Sequence, residues 1–317
     1  MKAYFDTNVY RFIREKRETD AVRKVLQRCA CELEASSLNL FETYAIKHPS
    51  ERLAELEVIV SIADAFEARP VPWKQAIELH GELRRLRPSW MQAAPRTRNI
   101  RRFLHAHVER WHLAQLRQLP AAEEYAAYSR PAEAGIRGQG TIQRSLRQIG
   151  TCHDTLVQLV GPDGTPRPVD LANPEVYWRA EGMAVWYNAI VMKDPACRDY
   201  ADWLGPYLKP QAFRDDSYGP FWLNEVLADS MPSNRLTGLV AYYQLRDRIT
   251  HGNPADQLHA CHWLSADVFF TADRAFHRAL DQAACSHFQG GRRPILLDRS
   301  AHSCAAQLDE VLRTTFD

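Results

Sequence analysis

The chain has 317 residues, 45% of them hydrophobic and 25% charged, with a formal net charge of +1, the profile of a globular protein with room for one large domain or two small ones. No run approaches the roughly 20 apolar residues a membrane span needs, and Met1 leads straight into a strand-like segment instead of a signal-type apolar stretch, so no membrane partner and a cytoplasmic location are expected. The seven cysteines (Cys29, Cys31, Cys152, Cys197, Cys261, Cys285, Cys304) are odd in number, dispersed and without a CxxC pair, which argues for free thiols and against a disulfide framework or a zinc ribbon.

Lys2-Ala3-Tyr4-Phe5 is short, aromatic and apolar and runs into Asp6-Thr7-Asn8, which reads as a buried strand ending in a carboxylate. Helical spacing follows from about Thr19 to Cys29 (Ala21, Val22, Val25, Leu26), with Thr19 or Asp20 as the cap. Leu33 to Ser36 reads as a second strand, after which Ser37 caps a helix carrying Leu40, Phe41, Tyr44 and Ala45 on one face and Glu42 beside that stripe. Pro49-Ser50 starts a helix whose apolar positions run from Leu53 to Phe66. Val71-Pro72 resembles a brief strand or turn before a helix from Trp73 to Leu86.

From Pro88 to roughly Pro232 the texture changes. Prolines and glycines recur, as in Gly161-Pro162-Asp163-Gly164, and helical patches such as Ile100 to Leu119 and Val176 to Met192 have no strand signals between them; this reads as a mostly helical insertion. Between Arg84 and Arg147 every basic residue is arginine, thirteen in all, opposed only by Glu109, Glu123, Glu124 and Glu133. Arginine forms bidentate contacts to phosphate better than lysine does, and such asymmetry suits a polyanionic partner as well as it suits a salt-bridged helical surface. Arg96, Arg98, Arg101 and Arg102 are the candidate nucleic-acid contacts. Trp90, Trp111 and Tyr125 or Tyr128 are candidates for stacking on bases, although packing inside the insertion is the commoner use.

Beyond Pro232 a helix runs from about Ser233 to Arg248, and Asn253-Pro254 opens another with Asp256 in its first turn. Val268-Phe269-Phe270-Thr271 is a compact strand ending at Ala272-Asp273. A helix, a last strand at Arg293 to Leu297 and a helix from Ala301 to Arg313 close the chain. Strands alternating with helices predict an α/β fold with a parallel, doubly wound sheet. The expected organisation is a core of residues 1–86 and 233–317, with 87–232 as the arginine-rich helical insertion.

In open parallel sheets the binding crevice lies at the carboxyl ends of the strands. Asp6 and Asp273 each follow a strand directly, so adjacent strands bring two carboxylates together, and like charges that close demand a shifted pKa or a bound cation. Tyr4-Phe5-Asp6-Thr7-Asn8 resembles the opening motif of PIN-domain ribonucleases, and Ser265 to Phe276, a strand leading to Thr271-Ala272-Asp273 with an aromatic nearby, resembles their closing motif. Glu42 and Asp256 match the remaining acidic positions. The resemblance covers about residues 1–86 and 233–317. It implies a PIN-like fold and a metal-dependent endoribonuclease in which Asp6, Glu42, Asp256 and Asp273 hold one or two Mg²⁺ or Mn²⁺ ions in a two-metal-type site, with Asn8 and Thr271 orienting carboxylates or waters.

Each position also has a plainer reading: Asp6 as a strand-end residue, Glu42 as a solvated helix residue, Asp256 as a first-turn acid complementing the helix dipole, Asp273 as an N-cap. Their joint placement favours metal binding. His259 and His262, one turn apart, could join Asp256 in a zinc-like face but lack a further nitrogen or sulfur ligand at matching spacing. His105, His107 and His112 sit among arginines and read as basic surface. The chain has no Walker loop, GxSxG elbow or GxGxxG, so NTP hydrolysis, serine hydrolysis and Rossmann redox chemistry have no support. The expected partner is single-stranded or structured RNA. The alternatives are a non-catalytic nucleic-acid-binding module, or a toxin whose cleft is covered by a protein inhibitor or antitoxin; self-association is compatible with either.

Overall fold

The strand Lys2–Phe5 (β1) is the middle of a five-stranded sheet in the computed structural model, which describes residues 1–67, 69–95, 98, 100–102, 104–105, 156–160, 166–170, 173–245, 253–288 and 292–316. Asp6 follows β1 directly and caps the helix Thr7–Lys16 (α1), its carboxylate accepting from the backbone N–H of Val9. α1 buries Val9, Phe12 and Ile13 at helical spacing, with Tyr10 alongside, and stops at Arg17, whose φ of 57° is left-handed. The helix Thr19–Arg28 (α2) and the strand Glu32–Ala35 (β2) follow. Ser36 and Asn39 then form a reciprocal cap on the helix Ser37–Tyr44 (α3). The helix Pro49–Ile62 (α4) leads to the two-residue strand Ala65–Phe66 (β3).

The chain continues with the helix Val71–Leu86 (α5), an antiparallel hairpin of Leu156–Val160 (β4) and Pro166–Asp170 (β5), and the helices Pro174–Tyr187 (α6), Arg198–Leu204 (α7), Pro232–Gln244 (α8) and Asn253–Trp263 (α9). The strand Val268–Thr271 (β6), the helix Arg274–His287 (α10), the strand Ile295–Leu296 (β7) and the helix Cys304–Phe316 (α11) complete it.

The sheet has the order β3-β2-β1-β6-β7 and every pairing is parallel. The register sets Ala3 opposite both Leu33 and Val268, and Phe5 opposite Phe270. A parallel sheet with helices on its faces buries both sides of its central strands, which is why Ala3, Tyr4, Phe5 and all of Val268–Thr271 are buried and why these strands read as continuous apolar runs. The core around them joins Phe5, Val9, Phe12, Ile13, Leu33, Leu40, Ile59, Phe270 and Leu308.

The described residues divide into two compact units, one of 1–67 and 258–316, the other of 69–105 and 156–257. In the second unit α6 meets α8 at Gly238, where a Cβ would lie 2.6 Å from the Trp178 Cβ, so only glycine fits. The Glu78 carboxylate accepts from the backbone N–H groups of Ser233 and Asn234 at 2.8 and 3.1 Å, anchoring the first turn of α8 to α5. Trp90, Phe213, Tyr218 and Phe221 form an aromatic cluster.

The structure corrects several sequence expectations. α5 and α8 sort with the second unit and not with the sheet, moving the boundaries from 86/87 and 232/233 to 68/69 and 257/258. The reason is packing: α5 turns its apolar stripe of Val71, Ala76, Leu79 and Leu83 into helical neighbours. Val71-Pro72 opens α5, proline suiting the first helical turn. The helix expected to reach Phe66 stops at Ile62, and Ala65–Phe66 instead pairs as an edge strand with Glu34 and Ala35. The β4–β5 hairpin lies where no strand was read. Most of the segment from Ile100 to Leu119 lies outside the described residues. Among the described residues, no helix is long and apolar enough to cross a membrane, and Cys29, Cys31, Cys197, Cys261, Cys285 and Cys304 take part in no disulfide; Cys152 lies outside them.

Candidate active site

Because β1 and β6 are neighbours running the same way, Asp6 and Asp273 emerge at the same, carboxyl, edge of the sheet. Thr271 ties the two together. Its hydroxyl donates to Asp6 Oδ2 and accepts from the Asp273 backbone N–H at 3.0 Å. The other Asp6 oxygen accepts from Val9 N–H at 3.1 Å. No lysine or arginine among the described residues pairs with Asp6 or Asp273.

Asp6 is 1% exposed. Burial pushes its carboxyl up from 3.8 to about 6, against the downward pull of the His259 ring and the Thr271 bond; the Glu42 carboxylate adds to the rise. Glu42, on α3, is held by His259: Nε2 of the buried imidazole lies 2.7 Å from Oε2. Burial raises the Glu42 carboxyl, but the His259 charge, its hydrogen bond and the Thr7 hydroxyl outweigh it, so the net shift is downward. Asp6 therefore senses Glu42, and the two carboxyls are shifted in opposite directions.

Behind them runs a buried polar chain. His259 Nδ1 and Ser36 Oγ both lie 2.7 Å from the Tyr4 hydroxyl. Ser36 Oγ donates to Asn39 Oδ1 at 3.2 Å, and Asn39 Nδ2 donates to the Phe5 carbonyl and to Thr7 Oγ1. The Tyr4 ring stacks on His262 at 4.2 Å between centroids, and His262 Nδ1 lies 2.6 Å from Glu67 Oε2. A carboxylate can only accept, which assigns the His259 Nε2 proton toward Glu42. The hydrogen bonds among Tyr4, Ser36, Asn39 and His259 fix one side-chain arrangement.

The sequence-expected residues are therefore unequally placed. Asp6, Glu42, Asp273 and Thr271 all lie in the unit built on the sheet, with Asn8 half-buried in the first turn of α1. Asp273 Oδ1 is the N-cap of α10, accepting from Ala275 and Phe276 at 2.7 and 3.0 Å, as its plainer reading held. Asp256 belongs to the second unit, where its Oδ2 accepts from Gln244 Nε2 at 3.0 Å. Asp267, at the opposite edge, accepts from Lys2 N–H and pairs with Arg292.

His259 is the residue the sequence reading undervalued, and its partner is Glu42 instead of a zinc face with Asp256 and His262. The two histidines are 1% and 2% exposed and face different glutamates. The signal for this was a pair of histidines at i, i+3 on a helix that also carries buried alanine and cysteine.

Arg98, Arg101 and Arg102 are exposed, while Arg96, Trp111, Tyr125, Tyr128, His107 and His112 lie outside the described residues. Trp90 is 5% exposed and packs on Phe213 and Phe221, so it is a core residue and not a stacking platform. Arg85 and Arg87 are paired with Glu82 and Glu225.

Among the described residues no three histidine, cysteine, aspartate or glutamate side chains are grouped to hold a metal ion. The chemistry of the pair Asp6 and Glu42 nevertheless fits a hard divalent cation: both are oxygen donors, Asp6 is buried, and the Glu42 carboxylate disfavours its charge. Comparison with family models, curated proteins and solved structures finds no match.

Proposed function

We propose that this protein is a divalent-metal-dependent nuclease acting on RNA, with a PIN-like arrangement of the sheet. The observation that carries the reading is the β1–β6 adjacency: acids some 270 residues apart in the chain reach one edge of a parallel sheet, joined by Thr271, with the Glu42 carboxylate in electrostatic range of Asp6. Asp6 and Glu42 would hold the cation, Mg²⁺ or Mn²⁺, with Asp273 following the neighbouring strand at the same sheet edge. When bound, the ion supplies Lewis-acid activation of water and neutralises phosphate charge. Thr271 and Thr7 fix the carboxylate orientations, and His259 positions Glu42 while holding a proton at Nε2.

The test is cleavage of labelled RNAs with Mg²⁺, Mn²⁺ or EDTA by the wild type, Asp6→Asn and Asp273→Asn. Metal-dependent cleavage that Asp6→Asn reduces at least a hundredfold supports the reading; cleavage insensitive to both substitutions points to contamination and removes the support.

One observation favours a second reading. His259 already engages Glu42 from within the buried network, as a cation would, which suits a non-catalytic nucleic-acid-binding module. Absence of cleavage by wild-type protein with RNA binding indifferent to divalent metal selects this alternative.

A further inference from the structure

The second unit contains a cavity of about 650 Å³ whose lining includes Lys193, Arg198, Lys209 and Arg214, with Asp194 as the only acid among the described residues lining it. Ile190 and Leu208 give it an apolar wall. Its size lies within the range of small-molecule sites, and four cationic side chains, with Asp194 in the lining and Asp202 paired with Arg198 at 3.7 Å, leave an excess of positive charge that favours an anion.

Two of the cations lie at or directly after a left-handed backbone position. A π-helical turn, Asn188–Met192, ends α6 and delivers Lys193 in the left-handed region at φ 53°. Phe213, just before Arg214, is left-handed at φ 68°. Such conformations are costly for residues with a Cβ and persist only where the surroundings impose them. Phe213 is imposed upon: it is fully buried, stacked on Tyr218 at 4.7 Å and edge-on to Trp90 at 5.8 Å. The Lys209 ammonium donates to the Ser89 carbonyl at 2.6 Å, which fixes it and leaves two further protons to donate. Arg198, Lys193 and Arg214 are exposed.

We propose that this cavity is a nucleotide site, with the phosphate bound by Arg198, Arg214, Lys193 and Lys209 and the base lying against the Ile190 and Leu208 wall. The choice of RNA over another phosphate-bearing ligand rests on the nuclease reading; the anion preference does not.

The experiment uses the full chain in EDTA, with fluorescence anisotropy of a labelled oligouridylate of about a dozen nucleotides at several salt concentrations. Arg198→Ala with Arg214→Ala should weaken binding at least tenfold and, since single strands give a log–log salt slope of about −0.7 per neutralised phosphate, make that slope shallower by about 1.4. Competition by uridine monophosphate marks a site for the free nucleotide; its failure to compete while the variants still weaken the strand marks a site for the polymer. Unchanged affinity and salt slope in the double variant, with the thermal midpoint unaltered, overturn the proposal. Pocket-dependent binding without cleavage in Mg²⁺ or Mn²⁺ keeps it and removes the nuclease reading; cleavage with pocket-independent binding does the reverse.

Discussion

The Thr271 hydroxyl donates to the Asp6 carboxylate, so the last residue of β6 holds the residue that follows β1. Both groups are buried, at 0% and 1% exposure. Thr271→Val keeps the shape and deletes the donor, leaving a buried carboxylate short of one partner and the Asp273 N–H without its acceptor. The expected loss is about 1–3 kcal/mol of unfolding free energy, read from urea denaturation in EDTA. A loss below about 0.5 kcal/mol contradicts the bond's structural role.

Asp6 gives a pH signature. Its folded carboxyl titrates at about 6, above the ordinary 3.8, chiefly because burial penalises the charge. Between those values the native state binds more protons than the unfolded chain, so the group's contribution to stability is complete below 3.8 and is lost as pH rises to about 6. The swing is on the order of 3 kcal/mol. Asp6→Asn cannot titrate, so in EDTA the stability of wild type relative to this variant should fall as pH is raised from 4 to 6.5 and then level off. A difference that stays flat, or rises, refutes the assignment.

How much of this was legible in the residues depends on how local each feature is. β1 and β6 could be read because a strand buried on both faces must be apolar throughout, as Ala3-Tyr4-Phe5 and Val268-Phe269-Phe270 are. α1 carries its cap and apolar stripe in Asp6, Val9, Phe12 and Ile13, but because Asp6 both follows the strand and caps the helix, the two elements run together without a break. His259 was not legible as the partner of Glu42, because nothing local couples positions 217 residues apart and only the sheet order brings their elements together. Likewise α5 and α8 each show helical character in sequence, but which unit buries them is decided by complementary surfaces such as Trp178 against Gly238.

That last contact makes a prediction for the second unit. A Cβ at Gly238 would sit 2.6 Å from the Trp178 Cβ, 2.7 Å from its Cα and 3.1 Å from the Glu181 carboxylate. Two of these are close to backbone and cannot rotate away, so Gly238→Ala forces α6 and α8 apart despite alanine's better helix propensity. The expected cost is about 1–3 kcal/mol or more, visible as a lowered thermal midpoint. A midpoint equal to or above the wild type's contradicts this packing.

The central claim is that Asp6 and Glu42 together make a cation site, and calorimetric titration of the RNA-free protein with Mn²⁺ near neutral pH tests it most directly. The account predicts saturable binding by the wild type that weakens at least tenfold in both Asp6→Asn and Glu42→Gln. Absence of saturable binding, or equal affinity in the wild type and both variants, contradicts it.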